Sequence, residues 1–371
     1  MFLKSQRIVK ISFRKFGVSG GRSKMVKIQD IAKACNVSIA TVSNILNGKK
    51  GASEETRKLV LSMASKMNYR PNRVAKNLKQ QTNKTIGVIT EDLTIFFTPE
   101  IVDGINEYCE EKNYQLILNN LRIYKKFGPN YYTYEGYYKQ VEEEFWETLS
   151  MQVEGIIYVG GHERNLYCIP NEFPKPIVVA YGFANNKVNI VINDRHGAHL
   201  ATKYLIDAGH DKIGVISGEF SSYHTQSRLL GYQQALFEAG IAFDNSIIEI
   251  GNWERDSGYI AMEKLHQKGI SSIFCMNDMM AAGAYDYCSD HGLLIGKDIS
   301  IVGFDNREIS MVLRPALTTI ELPLHKIGYV AAKRLIEQIE DGLTEKEDLI
   351  HFADCKLIEG ESVDFQGTQF K

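Results

Sequence analysis

The sequence predicts a three-helix head built around a helix-turn-helix, a short helical connector, and a two-lobed body of parallel α/β architecture. Three observations carry this reading. Positive charge is concentrated in the first 85 residues, apolar residues from 28 onward recur at helical spacing in short runs, and beyond residue 85 apolar runs of four to six residues alternate with helical patterns. The expected domains are a head over 25–71, a connector over 72–84, a body over 85–345 and a C-terminal segment over 346–371. Residues 1–24 are basic and carry no periodic apolar face, so they are expected to be disordered, or a spurious extension ahead of a start at Met25.

In the head, Ile28, Ile31, Ala32 and Cys35 make one helical stripe and Val42, Ile45 and Leu46 a second. Asn36 suits the left-handed end of the first helix and Ser38 the N-cap of the next, so a tight turn joins them. In such a motif the second helix points its N-terminal part at base edges. Ser38, Thr41 and Ser43 are short hydroxyls suited to phosphate oxygens. Ile39, Ala40 and Asn44 are placed to face the groove floor, the first two for apolar contact and Asn44 for bidentate pairing with adenine. A third helix over 54–67, capped by Ser53, is expected to place Leu59, Val60, Met63 and Met67 inward. Residues 73–79 have helical spacing but are too few to hold a helix alone.

The body follows as strands at 85–90, 114–119, 155–159, 177–180, 213–216, 272–275 and 299–303, with helices such as 99–112 between them. Ligands in such sheets bind beyond the carboxyl ends of the strands. Polar residues stand there: Asp194 after one apolar run, Asn277 and Asp278 after another, Asp305 after a third, and Arg228 at a helix start. Residues 122–139 insert seven aromatic side chains, among them Tyr124, Tyr131 and Tyr137, between a strand and a helix. They read as a flap over the cleft or a partner surface, or as a loop packed on its own lobe.

The net charge of −2 conceals a division. Residues 1–85 hold 19 Lys/Arg against 3 Asp/Glu, an excess of 16, which leaves −18 on the remainder. A basic head neutralises phosphates while an acidic body repels them, which confines DNA contact to the head. The six cysteines are scattered without metal or disulfide spacing, which fits a reducing cytoplasm, and no metal site or cofactor is expected. No apolar run is long enough for a membrane span or an export signal. No GxGxxG follows the first strand, and neither a Walker loop nor a nucleophile with a base is recognisable, so an enzyme is not expected.

Asp30-Ile31-Ala32, Val37-Ser38, Thr41-Val42-Ser43, Leu46-Asn47 and Tyr69-Arg70-Pro71-Asn72, with Ala75 and Leu78, resemble the LacI/GalR family of bacterial repressors. Further along, Ala208-Gly209-His210, Arg228-Leu229-x-Gly231, Asn277-Asp278-x-Met280-Ala281 and Pro315-x-Leu317-Thr318-Thr319-Ile320 extend the resemblance past Gly342. It implies an effector domain of the periplasmic-binding-protein fold, with one lobe over 85–184 and 318–345 and the other over 185–317. It also implies a hinge helix at 72–80 that pairs in a homodimer, with Asn72 and Ala75 at the DNA, Leu78 as a minor-groove wedge and Lys79 beside it. Tyr181, Asp194, Arg228, Trp253, Asn277, Asp278 and Asp305 become the expected effector set. An indole face and carboxylate fans suit a saccharide; a nucleobase or another metabolite is the alternative, and a solute-binding protein a more distant one. The chain departs from the family pattern at Asn44, where many members carry arginine, and at Tyr181, where many sugar-responsive members carry aspartate.

Overall fold

Local chemistry sets the head. Helix α1 (Ile28–Cys35) starts where the Lys27 backbone N–H donates to Asp30 Oδ2 at 2.8 Å, and ends at Asn36, whose φ of 51° is left-handed. Helix α2 (Ile39–Leu46) begins at Ser38, whose Oγ accepts from the Thr41 N–H at 3.0 Å. Helix α3 (Glu54–Lys66) repeats the device, with Ser53 accepting from Thr56 at 3.2 Å. Ile31, Ala32, Cys35, Val42, Ile45, Val60 and Ala64 form the buried core. Leu59, expected inward, is exposed; the stripe of α3 runs through Val60 and Ala64, and Leu59 lies about 100° off it.

The computed structural model describes residues 26–49, 51–69, 83–128, 130–342 and 349–365, in two units that divide at Thr82 and Asn83. The expected hinge residues Asn72, Ala75, Leu78 and Lys79, and the segment 1–24, lie outside the described residues.

The body holds two parallel sheets. The first lobe contains β1 (Thr85–Thr90), α4 (Thr98–Lys112), β2 (Gln115–Asn120), α5 (Ile123–Phe127), α6 (Glu135–Ser150), β3 (Ile156–Val159), β4 (Ile177–Ala180) and β5 (Val188–Ile192). The second contains α7 (Asp194–Asp207), β6 (Ile213–Ser217), α8 (Tyr223–Glu238), β7 (Ile248–Ile250), α9 (Arg255–Gln267), β8 (Ser272–Cys275), α10 (Asp278–Asp290), β9 (Ser300–Val302), α11 (Glu308–Val312) and β10 (Thr319–Glu321). Then α12 (Leu324–Asp341) and β11 (Ile350–Ala353) return to the first lobe, and β12 (Lys356–Ile358) pairs antiparallel with β10. Strand order is β11-β5-β4-β3-β1-β2 in one sheet and β7-β6-β8-β9 in the other. Strands β1, β3, β4, β5, β6 and β8 are buried along their whole length, as parallel strands covered on both faces must be.

Two expected boundaries move. Strand β5, expected in the second lobe, pairs with β4 from Val178↔Val188 and so belongs to the first sheet. The segment after 345, expected only as a C-terminal segment beyond the body, supplies β11, which covers the open edge of β5 from Ile350↔Asn189. It also brings in Ser362, whose hydroxyl accepts from the Thr318 N–H at 2.8 Å and donates to the Ile301 carbonyl at 2.6 Å. The chain thus passes between lobes at three places: β5 to α7, β10 to α12, and β11 to β12. Helices α4 and α12 approach until backbones touch, since a Cβ on Gly104 would stand 2.0 Å from the His325 carbonyl oxygen.

The aromatic insertion packs on its own lobe. Tyr131 and Tyr137 are buried beside Ile123, Val141 and Phe145, while Tyr132 and Tyr134 remain exposed. The Tyr131 and Tyr137 hydroxyls donate to Glu91, which follows β1 and is wholly buried. No described helix is long and apolar enough to cross a membrane.

Candidate functional site

On the head, α1 and the turn after it fix which side of α2 is free. Val42 and Ile45 face the core, so Ser38, Ile39, Ala40 and Asn44 are exposed and Thr41 and Ser43 half-exposed. Ile39 leaves 47% of its surface open, an apolar side chain with no core role. Ser38 Oγ also lies 2.8 Å from Thr41 Oγ1, so these hydroxyls brace the first turn of α2. All six expected DNA-contacting residues of the head thus lie on α2 or its N-cap with surface open to solvent.

In the body, the residues that follow the strands converge. Arg228, on α8 and 3% exposed, donates from Nε to Asp194 Oδ1 at 2.7 Å and from Nη1 to the Met276 carbonyl, and Nη1 stands 3.8 Å from Asp305 Oδ1. The guanidinium lies 3.7 Å from the centre of the Phe304 ring and 5.8 Å from that of Trp253. His224 Nδ1 sits 2.7 Å from Asp194 Oδ2, and its Nε2 sits 3.3 Å from the Tyr181 hydroxyl across the lobes. Tyr181, Asp194, Arg228, Trp253 and Asp305 therefore meet in one cleft. Asn277 and Asp278 adjoin it but have structural partners. Asn277 caps α10 through the Met280 N–H at 2.8 Å and donates to the Trp253 carbonyl at 2.9 Å. Asp278 accepts from Thr319 Oγ1 at 2.6 Å and from the Arg307 N–H at 2.8 Å.

The cleft backbone is strained where its side chains are aimed. Tyr181, Trp253 and Asp305 have φ of 61°, 72° and 111°, a region that non-glycine residues occupy at a cost of about 1–3 kcal/mol each. The Trp253 ring lies so close over Gly218 that a Cβ there would stand 2.0 Å from it. These features hold the indole and the Asp305 carboxylate in fixed positions, the kind of preorganisation a binding site uses.

Sequence reasoning missed several residues. Glu163, between β3 and β4, accepts from the Ile192 N–H at 2.6 Å through Oε1, while its buried Oε2 has no partner. His224 sits at the start of α8, four residues before Arg228. Phe97 stacks on Tyr181 with ring centres 4.3 Å apart, and Phe96 lies 4.5 Å under the Arg307 guanidinium from the opposite lobe. His162 joins them, 2.5 Å through Nε2 from the Tyr124 hydroxyl. The one sequence signal for Glu163 and His162 was their place after a strand.

Burial governs the site's ionisation. It pushes the Asp305 carboxyl up to about 8, against the pull of Arg228 and aided by the like charge of Asp278. It raises Asp278 to about 7 despite the hydrogen bonds from Thr319 and Arg307. Burial and the Asp194 charge push Glu163 well above the carboxylate range. Burial acts the same way on Asp194, but Arg228 and His224 outweigh it and hold that carboxyl low. Burial presses the His162 imidazole down to about 4.

A carboxyl whose folded value is raised binds its proton more tightly when folded. Its stabilising effect is therefore complete in acid and is lost as pH climbs from the unfolded value, near 4, to the folded one, near 8 for Asp305. The melting temperature of the protein is expected to fall between pH 6 and 8.5, and Asp305→Asn to flatten that slope and melt higher than the wild type at pH 8.5. Parallel melting curves across this range would refute the assignment.

Residues 27–72 match the family model described as bacterial regulatory proteins, lacI family, and residues 202–363 match that of a periplasmic binding protein-like domain. The chain is 34% identical over 323 residues to the HTH-type transcriptional repressor PurR of Vibrio vulnificus (strain CMCP6), covering 85% of this chain and 93% of that protein. It is 32% identical over 339 residues to the ribose operon repressor of Haemophilus influenzae, covering 90% and 98%. Among solved structures, the Lac repressor dimer bound to operator and the anti-inducer ONPF superposes with a TM-score of 0.72 at 24% identity, covering 92% of this chain and 100% of that one. The transcriptional regulator CelR in complex with cellobiose gives 0.60 at 23% identity, covering 91% and 99%.

Proposed function

The chain belongs to the lacI family of bacterial regulatory proteins as a transcriptional repressor, and we propose that it binds a pseudo-palindromic operator as a homodimer under the control of a saccharide held between its lobes. The observation that carries the effector reading is the cluster of carboxyl groups, Glu163, Asp194 and Asp305, around the guanidinium of Arg228 beside the Trp253 ring. Carboxyl groups pair with hydroxyls as donors or acceptors, and a sugar offers several hydroxyls together with a CH face for the indole. The names of the ribose operon repressor and of the cellobiose complex agree with this choice.

A nucleobase is the second reading, favoured by the Phe97 and Tyr181 rings and by the name of the PurR relative. A thermal-shift screen of mono- and disaccharides against nucleobases separates the two. A saccharide is expected to raise the melting temperature, whereas a nucleobase response without a sugar response overturns the first reading and supports the second.

On the DNA side, Ser38, Thr41 and Ser43 would hold phosphates, and Ile39, Ala40 and Asn44 would read bases. Asn72, Ala75, Leu78 and Lys79 would act in a hinge helix whose order the cleft biases. One head reads too few base pairs to be selective, which is the reason to expect two. Binding selection from randomised DNA is expected to return adenine where Asn44 faces the groove. Asn44→Ala should cost about ten- to a hundredfold in operator affinity and relax that position alone. Guanine, or no preference, at that position in the selected sites would contradict the role of Asn44.

A further inference from the structure

We propose that Glu163, Asp194 and His224 form a divalent-cation site that ties the first lobe to the second, with Zn2+ the ion their donor set fits best. Each offers one ligand atom, these atoms all lie within 4.8 Å of one another, and all three residues are buried. Two carboxylate oxygens and an imidazole are an ordinary ligand set for a first-row divalent ion, with Zn2+ bound more tightly than Mn2+.

A buried carboxylate oxygen without a donor is costly to keep, and Glu163 Oε2 is one. Its other oxygen is fixed by the Ile192 N–H, so the free one has little freedom to turn away. Asp194 is similarly half committed, since Oδ1 takes the Arg228 Nε–H and Oδ2 is left with His224. The outer contacts fit as well. A ligating Nδ1 leaves the His224 proton on Nε2, which faces the Tyr181 hydroxyl at 3.3 Å, the kind of partner that orients a ligating imidazole.

Tetrahedral bonds of about 2.0–2.2 Å set neighbouring donors about 3.5 Å apart, a spacing close to that of these atoms, which all lie within 4.8 Å of one another. Glu163 hangs from the first sheet, while Asp194 and His224 begin helices of the second lobe. An ion here therefore clamps the lobes. This site shares Glu163 and Asp194 with the saccharide reading, but its test contains no effector, so failure of one is distinguishable from failure of the other.

The test uses full-length, untagged, chelator-stripped protein dialysed against ZnCl2 in phosphate-free buffer, with bound metal measured by mass spectrometry. One equivalent of Zn2+ is expected, with a higher melting temperature for the wild type. Glu163→Gln and His224→Gln should each weaken binding about tenfold or more and lose the thermal shift. Glu163→Gln keeps both the shape of the side chain and the acceptor used by Ile192, so it is expected to fold. No retained zinc in the wild type, or equal retention in the wild type and both variants, overturns the proposal.

Discussion

Arg228→Ala is expected to abolish the effector response while leaving operator affinity within about threefold of the wild type. The side chain is 3% exposed and anchors Asp194, Asp305 and the Met276 carbonyl at once, so it organises the cleft even before a ligand enters. Removing one partner from a buried charged network costs about 2–5 kcal/mol, because the carboxylates left behind must take up protons or water. Effector affinity should therefore fall at least a hundredfold, roughly 3 kcal/mol. The head has its own core from Ile31 to Ala64 and is spared by the change, which is why operator binding is expected to be retained; a retained cooperative melting transition of the body is the control for folding. Arg228→Lys separates charge from shape. Lysine keeps the positive charge but cannot donate to Asp194 and Met276 in the planar geometry of the fork, and its response should also be lost. The measurement is an anisotropy titration of labelled operator with and without the effector found in the screen. A response in Arg228→Ala equal to that of the wild type would remove Arg228 from the pocket.

What was legible in the sequence was whatever local chemistry decides. Asn36 ends a helix and Ser38 starts the next because their side chains and backbone act on neighbours, and both appear as expected. The polar residues at strand ends were legible because parallel sheets present those ends to one side, which brings Asp194 and Asp305 together; Arg228, expected at a helix start, reaches them instead from the second turn of α8. Partnerships across the lobes left no local trace. His224 becomes a neighbour of Tyr181 only when the lobes pack, and nothing about Glu163 as a lone acidic residue reveals that one oxygen is held and the other is not. The left-handed backbones of Tyr181 and Trp253 were equally hidden, since neither residue type favours that conformation. Strand β5 went to the wrong lobe because an apolar run does not say which sheet it completes; its edge with Ile350–Ala353 does.

Glu91→Gln is expected to destabilise the body by about 3–5 kcal/mol, the cost of breaking a buried ion pair from one side. The carboxylate is wholly buried and accepts from six N–H and O–H groups. The Tyr131, Tyr137 and Tyr158 hydroxyls donate at 2.5, 2.6 and 2.7 Å, the Gly161 N–H at 2.5 Å, and Arg164 from both terminal nitrogens at 2.8 and 3.3 Å. Glutamine has the same shape but replaces one acceptor by a donor, which faces donors already there, and it leaves the Arg164 guanidinium without its counter-charge. The aromatic insertion is held largely by this group, since Tyr131 and Tyr137 turn inward to reach it, so local loosening of 122–139 should accompany the loss. A fall of about 5–10 °C in melting temperature at pH 7 is the expected reading. Arg164→Gln added to Glu91→Gln should recover part of it, because the double variant buries no lone charge. The pH dependence has the opposite sign to that of Asp305. Burial alone would raise the Glu91 carboxyl, but Arg164 and the donated hydrogen bonds overcome it and hold the value below the usual glutamate range. Its contribution is therefore complete above the unfolded value, near 4.5, and is lost as pH falls through the lower folded one. The gap between the wild type and Glu91→Gln should stay constant from pH 6 to 8 and narrow only below about pH 4.5. Melting curves that coincide at neutral pH would show that the six donors find partners without the charge.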